Sequence, residues 1–394
     1  RIKTRKSEAF EGLREFNIIA PKPAPQVVNF LSYKYSSLFG FIAPQVEMVE
    51  LWSNGRYEGI HLLMEQLDES TLRRLGRMPG DLYKGEWINK DLYRGAGAWV
   101  FVHPRLWEKI AINNHYEEES RKPLEELIRL VNVPDSEKSH QSLTQLLNVG
   151  DWARFGAFET IVQTAHTTIF HNWRLYFDPA RGFFEPIPWD PLVYIHVGPG
   201  VRPASLTTPL HVMLARNGNY HRARQKVFEK FIFEELDQRF KTITEETYRS
   251  ISVSANLDPN LVTWNGVSLP PKKLQQEIET YQERQSRVLN DIREMFVDTP
   301  GDVRYRQKRR NGGIPLLVEG RRPTRSMIFV FADPLNSTHS ATVRYFTNGS
   351  LHEVDVSGAM TINGNQLLLE IGLIPQFPQN LYGTFLNTDS KVKN

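Results

Sequence analysis

The chain of 394 residues is long enough for two or three domains and at least one large core. Its hydrophobic fraction of 40%, charged fraction of 24% and net charge of +3 are those of an ordinary globular protein. So small a net charge does not indicate nucleic acid or an acidic membrane as the main partner. The absence of cysteine excludes disulfides, thiolate metal sites and a cysteine nucleophile. Because no apolar run approaches the roughly 18 residues that a bilayer requires, we expect no membrane span in this chain.

The compartment is left open by the sequence. The chain begins at Arg1 without a methionine or a signal sequence, so we expect a processed chain or a part of a longer one. A cysteine-free chain of this length is slightly more typical of exported proteins than of cytoplasmic ones.

The first part of the chain is dominated by strand signals. Residues 1–17 are interpreted as two short strands around a polar break. A helix is predicted over 26–39, where apolar residues recur at helical spacing. The segments 46–52 and 57–65 are predicted strands joined by Asn54-Gly55. This dipeptide is typical of two-residue hairpin loops because both of its residues tolerate positive φ.

The middle of the chain is mainly helical, with a hairpin at its centre. A short strand is predicted at 81–84, and the hairpin joins 173–177 to 183–188. This segregation of strands and helices indicates the α+β class rather than an alternating α/β fold. The predicted helices lie at about 105–112, 117–131, 137–147, 152–165, 209–216, 220–239 and 272–296.

The composition changes after the last of these helices. Residues 300–325 contain eight arginines or lysines and only two acids, and 297–325 is interpreted as a solvated basic linker. The alternative is a patch that binds a polyanion such as a cell-wall polymer. Residues 326–394 contain short strands separated by Asn-Gly and related turns, which predict a small all-β, sandwich-like domain.

Two polar residues flank the central hairpin. Asn172 precedes its first strand and Asp190 follows its second, so antiparallel pairing places both side chains at one end of the ladder. Carboxylate and amide oxygens are hard ligands suited to Mg²⁺ that also holds nucleotide phosphates. Protein kinases use an Asn and an Asp at equivalent places. The alternative is that both residues only cap turns, as Asn and Asp commonly do.

Several further motifs occur in order along the same part of the chain. They are Arg1-Ile2-Lys3, Gly12-Leu13-Arg14-Glu15-Phe16-Asn17, the Asn54-Gly55 hairpin ending in Met64-Glu65-Gln66-Leu67-Asp68, Gly80-Asp81-Leu82-Tyr83-Lys84, His171-Asn172 and Pro188-Trp189-Asp190. With this ordered series, residues 1–295 resemble the CotH kinase family of spore coats and other extracytoplasmic settings. The resemblance implies an atypical, protein-kinase-like bilobal domain over 1–296, with lobes at about 1–68 and 69–296.

The resemblance also implies roles for individual residues. Lys3 would contact the phosphates, Glu65 would lie near the nucleotide, and Asn172 and Asp190 would bind metal. The implied cofactors are ATP and Mg²⁺ or Mn²⁺. The implied acceptor is a serine or threonine of an envelope or coat protein, and the implied location is extracytoplasmic, on a spore coat, on a cell surface or secreted.

The sequence departs from the kinase pattern at the catalytic base. In kinases an Asp five residues before the metal-binding Asn accepts the proton of the acceptor hydroxyl. Thr167 stands at that position here, and a threonine hydroxyl is not a base near neutral pH. His166 is a candidate substitute, because histidine is the side chain that changes charge near neutral pH. The helix at 26–39 offers Asn29 where a lysine-pairing glutamate is expected, and the segment expected to cover the phosphates would precede Arg1.

Other kinds of site have weaker support. His166 and His171 suggest zinc, but a separation of five residues is poor for one helix face and no HExxH element occurs. Glu65, Asp68 and Asp190 supply carboxylates for a glycosidase, although nothing in their spacing favours it. The sequence contains no GxSxG, Walker A or GxGxxG element.

Three functions therefore remain open. The first is ATP- and metal-dependent phosphotransfer, in an active or degenerate form. The second is a catalytically inactive pseudokinase that serves as a structural or assembly protein of a coat or cell surface. The third is transfer of another group from ATP, such as AMP, at the same metal site.

Overall fold

The structure is a computed structural model of the chain. It describes residues 2–5, 8–20, 27–86, 99–111, 120–133, 137–195, 197–198, 200–202, 204–215, 217–261 and 269–298. Towards the C terminus it describes residues 304–307, 316–319, 326–331, 334, 342–347, 350–355, 357–370 and 392–393. The fold is α+β, as predicted, and the strands described pair in antiparallel sheets.

The first sheet lies in the N-terminal part of the chain. Its strands, in the order β1-β2-β4-β3, are β1 (Ile2–Lys3), β2 (Glu15–Ile19), β3 (Val46–Ser53) and β4 (Arg56–Glu65). Asn54 and Gly55 join β3 to β4 with φ values of 50° and 77°, which confirms the predicted hairpin and its reason. The predicted helix at 26–39 is α1 (Val28–Leu38); residue 26 lies outside the described residues.

The second sheet carries the central hairpin. Its strands, in the order β6-β5-β7-β8, are β5 (Asp81–Gly85), β6 (Trp107–Ala111), β7 (Trp173–Asp178) and β8 (Phe183–Pro186). The helix predicted at 105–112 is wrong: a short 3₁₀ turn, Pro104–Leu106, leads directly into β6. Pairing with β5 decides the conformation there, because tertiary contacts override a weak local propensity.

Helices make up most of the remaining elements that the structure describes in the first 298 residues. They are α2 (Glu69–Arg74), α3 (Lys122–Asn132), α4 (Glu137–Leu146), α5 (Val149–Ile161), α6 (Pro209–Ala215), α7 (Gly218–Phe233), α8 (Leu236–Asn256) and α9 (Pro271–Arg293). The single helix predicted at 220–239 is two helices, α7 and α8. Glu235 separates them with a left-handed φ of 56°, a conformation that no helix continues through.

The largest hydrophobic core joins α1 to α5, α7, α8 and α9. Tyr35 of α1 stacks on Phe240 of α8 with ring centroids 3.9 Å apart, and its hydroxyl accepts a hydrogen bond from Gln285 of α9 at 2.8 Å. This core runs across the lobe boundary predicted near residue 68. It holds α5 rigidly, and α5 leads into the segment that carries Thr167 and Asn172.

The C-terminal part contains two more sheets. Their strands are β9 (Arg304–Gln307), β10 (Leu316–Glu319), β11 (Ser326–Val330), β12 (Thr342–Thr347), β13 (Ser350–Asp355), β14 (Met360–Asn363), β15 (Gln366–Glu370) and β16 (Val392–Lys393). They form the orders β13-β12-β16-β10-β9 and β11-β15-β14. Thus β9 and β10 fall within the segment predicted as a linker, most of which lies outside the described residues. Over the part of the chain that is described, no helix has the length and apolar character of a membrane span.

A histidine in α7 makes the stability of the fold depend on pH. Burial lowers the pKa of His221 from 6.5 to about 4, and its Nε2 contacts the main-chain oxygen of Ala215. Between these values the unfolded chain binds a proton that the folded chain does not. The free energy of unfolding therefore falls by roughly 3 kcal/mol in total as the pH drops from about 6.5 to 4. We expect urea midpoints of His221→Gln to lose most of this pH dependence. Equal pH dependence in both proteins would contradict the prediction.

Candidate functional site

Asn172 and Asp190 meet at the imidazole of His166. The Nδ1 atom of His166 lies 2.6 Å from the main-chain oxygen of Asp190 and 3.4 Å from its carboxylate Oδ2. The same nitrogen lies 2.9 Å from the amide nitrogen of Asn172, which also donates to the main-chain oxygen of His166 at 3.1 Å. Three residues separated by up to 24 positions thus form one polar cluster.

This polar cluster is accessible to solvent from one side. The side chains of Asp190 and His166 are 33% and 27% exposed, whereas Asn172 is 8% exposed. The Asn172 amide nitrogen is turned towards His166, so the amide oxygen lies on the opposite side of the group. A partly open carboxylate and an amide oxygen are donors that Mg²⁺ or Mn²⁺ accepts when phosphates and water complete the coordination.

The backbone around the cluster is locally strained. Among the described residues, eight that are not glycine have positive φ, and five of them lie between positions 163 and 194. They are Gln163, Asn172, Asp190, Leu192 and Tyr194. Such residues cost free energy and persist where surrounding contacts hold them, which is common at functional sites.

Local hydrogen bonds fix the segment between α5 and β7. The main-chain nitrogen of His166 donates to the Thr164 hydroxyl at 3.1 Å. The indole of Trp173 donates to the main-chain oxygen of Thr168 at 2.8 Å. These bonds bend the chain back so that Asn172, at the start of β7, faces His166. They explain why the polar cluster forms where helix passes into strand.

A cavity of about 480 Å³ lies beside the polar cluster. The segment Gln66–Asp68, which follows β4, lines one part of it, and Lys84, Lys109 and Arg174 of the second sheet line its floor. Trp189, the residue before Asp190, lines it as well. The volume falls within the range of about 300–1,000 Å³ that small-molecule sites occupy.

The floor of the cavity is a row of charged side chains across three strands. Lys84 of β5 lies between Glu108 of β6 and Arg174 of β7 in the register of the sheet. The ammonium of Lys84 is 3.3 Å from the Glu108 carboxylate. The guanidinium of Arg174 packs over the ring of Trp189 at 4.6 Å. Two cations therefore face a space large enough for a nucleotide.

Glu86 connects the cavity to the polar cluster. Its carboxylate accepts from Arg174 at 2.7 Å and lies 3.5 Å from the main-chain nitrogen of Asn172. Burial lowers the pKa of Arg174, and the charge of Glu86 opposes that change. Glu86 thus links Arg174, which lines the cavity, to Asn172 of the polar cluster.

The other residues predicted to bind the cofactor are placed differently. Lys3 is 69% exposed and pairs with Glu15 at 2.5 Å, and it is not among the residues that line the cavity. Glu65 is 2% exposed, and its carboxylate accepts from the main-chain nitrogen of Gln45 and pairs with Arg74 at 2.8 and 2.5 Å. Glu65 therefore closes the junction between β4 and α2, next to the residues that line the cavity.

The position of the expected base is buried. Thr167 is 4% exposed, and its main-chain oxygen accepts a hydrogen bond from Thr207. His171, which follows in the same segment, lies with its ring centroid 5.2 Å from that of His166. Its own burial and the charge of His166 lower the pKa of His171. The imidazoles of His166 and His171 thus lie close together in the segment where the base is expected.

The oxygen atoms of the polar cluster belong to unlike groups. Within the described residues, no three His, Cys, Asp or Glu side chains form a cluster that could hold a metal ion. The donors at the polar cluster are instead one carboxylate, one amide and main-chain oxygens. This set suits a hard cation shared with phosphates, and it does not suit zinc, which favours three or four nitrogen or sulfur ligands.

Sequence reasoning missed Lys84 and Arg174. A signal for Arg174 was present: it is the one charged residue among the five residues between Asn172 and Asp178, the other four are apolar or aromatic, and all of β7 is buried. An arginine buried in such a strand needs a partner that compensates its charge, and that partner is Glu86. Lys84 was noted only as the last residue of a motif, because its place opposite Arg174 depends on the pairing of β5 with β7.

Comparison with known proteins identifies a family and a curated relative that are similar to this chain. The model of the family described as CotH kinase protein matches residues 1–289. Inner spore coat protein H of Bacillus subtilis (strain 168) is 27% identical over 190 residues, which cover 46% of this chain and 50% of that protein. The chain thus spans about half the length of this curated relative.

Proposed function

The chain belongs to the CotH kinase family, and on this premise we propose that it binds ATP with a divalent metal and transfers phosphate to a hydroxyl group of a coat protein. The observation that carries the proposal is the convergence of Asn172 and Asp190 on His166 beside a charged cavity. The proposed domain is an atypical, kinase-like bilobal unit over 1–296, followed by a basic linker at 297–325 and a β-domain at 326–394.

The cavity offers complementary surfaces to the parts of a nucleotide. Lys84 and Arg174 present positive charge to phosphates, and the planar guanidinium of Arg174 suits phosphate oxygens in particular. Trp189 and the segment Gln66–Asp68 supply the remaining walls. Lys84 and Arg174 would hold the phosphates of a bound ATP, and Glu86 links Arg174 to Asn172 of the polar cluster.

Asn172 and Asp190 are the residues that would hold the metal. A Mg²⁺ or Mn²⁺ ion bound there supplies positive charge that neutralises the phosphates during transfer. The chain contributes positioning: the short contact of His166 with the main chain of Asp190 fixes the turn that presents the carboxylate. Tyr33 supports the same turn, since its hydroxyl accepts from the main-chain nitrogen of Asp190 at 3.3 Å.

The spore coat is the proposed location and the source of the proposed partner. The curated relative is named an inner spore coat protein, so the acceptor is proposed to be a serine or threonine of a coat protein. The arginines and lysines of 300–325 are proposed to contact polyanions of the spore coat.

A second function is favoured by one observation. Thr167 occupies the expected base position and is 4% exposed, so the chain has no carboxylate there. A protein of this kind that binds nucleotide without transferring phosphate would act in coat assembly as a pseudokinase.

Thermal unfolding with and without nucleotide tests the proposal. We expect Mg²⁺ or Mn²⁺ together with ATP to stabilise the protein by about 2.7 kcal/mol at a hundredfold excess over Kd. Neither ATP with EDTA nor metal alone should have this effect. Mass spectrometry of a coat-protein target then separates transfer of phosphate from transfer of AMP. An unchanged Tm under saturating ATP and metal would refute nucleotide binding.

A further inference from the structure

A buried ionisable pair lies behind the candidate site. Glu159 of α5 is 1% exposed and His211 of α6 is 4% exposed, and Glu159 Oε2 lies 3.3 Å from His211 Nε2. Burying a carboxylate is costly unless a partner compensates its charge. Neither residue lines the cavity or belongs to the polar cluster, so neither the proposed nucleotide nor the metal accounts for the pair.

Hydrogen bonds lead from this pair to the segment of the expected base. His211 Nδ1 lies 3.1 Å from the hydroxyl of Thr207, and this hydroxyl donates to the main-chain oxygen of Thr167. A carbonyl oxygen only accepts, and threonine has one hydroxyl proton. A hydrogen bond between His211 and Thr207 is therefore donated by His211 Nδ1, which also lies 3.1 Å from the hydroxyl of Thr208. The direction of the bond from Thr207 to Thr167 is fixed, because a carbonyl oxygen only accepts.

The last acceptor of this chain is the carbonyl of the peptide that joins Thr167 to Thr168. Thr167 directly follows His166, which contacts Asn172 and Asp190. Aromatic packing holds the other end in place, because the His211 ring lies 5.2 Å from the ring of Trp173 in β7. One imidazole thus packs directly against the strand after Asn172 and is linked through Thr207 to the loop before it.

We propose that His211 and Thr207 are positioning residues that fix the Thr167 carbonyl and so hold His166 and Asn172 in the geometry that binds metal and nucleotide. The proposal rests on the proposed function. Residues that hold metal ligands in place from behind commonly change metal affinity by about 10–100-fold when they are replaced. A polar network that only fills the core would change stability without changing affinity.

Replacement of Thr207 separates these two roles. Thr207→Val removes the hydroxyl and nearly preserves the shape, whereas Thr207→Ser keeps the hydroxyl. Thr247→Val is a matched control in α8: Thr247 is 7% exposed and its hydroxyl donates to the main-chain oxygen of Ile243 at 2.7 Å. Both valine variants therefore lose one buried hydroxyl bonded to a carbonyl, and comparable losses of Tm are expected.

Two readouts are needed. The first is hydrogen exchange of a peptide covering residues 164–172, which does not depend on any ligand. The second is calorimetric affinity for Mn²⁺ with a non-hydrolysable ATP analogue. We expect Thr207→Val to exchange this peptide at least about tenfold faster and to bind the Mn²⁺–nucleotide about 10–100-fold more weakly. Thr207→Ser and Thr247→Val should match the wild type in both.

The outcomes distinguish the two proposals. Unchanged exchange of 164–172 in Thr207→Val would show that Thr207 does not fix this segment, and would overturn the positioning role. Faster exchange with unchanged affinity would reduce the network to a structural one, which overturns it as well. If the wild type binds no Mn²⁺–nucleotide, the proposed function fails, whatever the exchange data show.

Discussion

Asp190→Asn is expected to abolish the metal-dependent stabilisation by ATP. The substitution removes the carboxylate charge and keeps the shape of the side chain. Asparagine also tolerates the left-handed φ of 46° at this position better than alanine does. The main-chain contacts of Asp190 with His166 and Tyr33 do not involve the carboxylate and are retained. The gain of about 2.7 kcal/mol expected for the wild type at a hundredfold excess of ligand over the wild-type Kd should thus fall close to zero.

Asp68→Asn is the matched control for this experiment. Asp68 also lines the cavity, and its carboxylate caps α2 by accepting from the main-chain nitrogen of Ser70 at 2.7 Å. Asparagine is an equally good cap, so the fold should be unaffected. If the loss of any negative charge near the cavity were enough to abolish the stabilisation by ATP, Asp68→Asn would abolish it as well. Retained stabilisation by ATP in Asp190→Asn would exclude Asp190 as the metal ligand.

The sequence predicted those parts of the fold that local rules decide. Asn54-Gly55 permits few conformations other than a tight hairpin loop, and the structure has it. The strand of 107–111 was missed because its conformation is decided by pairing with β5. The break between α7 and α8 was missed because glutamate at position 235 does not indicate the end of a helix. Pairing with a distant segment decides the strand of 107–111, and a local pattern does not contain that information.

The same distinction applies to the candidate site. Asn172 and Asp190 were identified because they flank one hairpin, and the structure brings them to a common neighbour, His166. Lys84 and Glu86 depend on how β5 pairs with β7, which lies about ninety residues further along the chain. The place of Lys84 and Glu86 in the site is therefore visible only in the folded protein. Lys84 contributes part of the positive charge that lines the cavity.

Thr167→Asp is expected to raise the rate of phosphate transfer by at least about a hundredfold, the lower range of what a positioned general base contributes. The reason is that the new carboxylate would stand five residues before Asn172, where kinases place the base. Thr167→Asn is the matched control, because it has the same shape without a basic carboxylate. The position is 4% exposed, so both variants are expected to lose some stability. Binding of Mn²⁺ and nucleotide should be checked in each. A variant that binds both and transfers phosphate no faster than Thr167→Asn would show that more than the base is missing, which favours the pseudokinase.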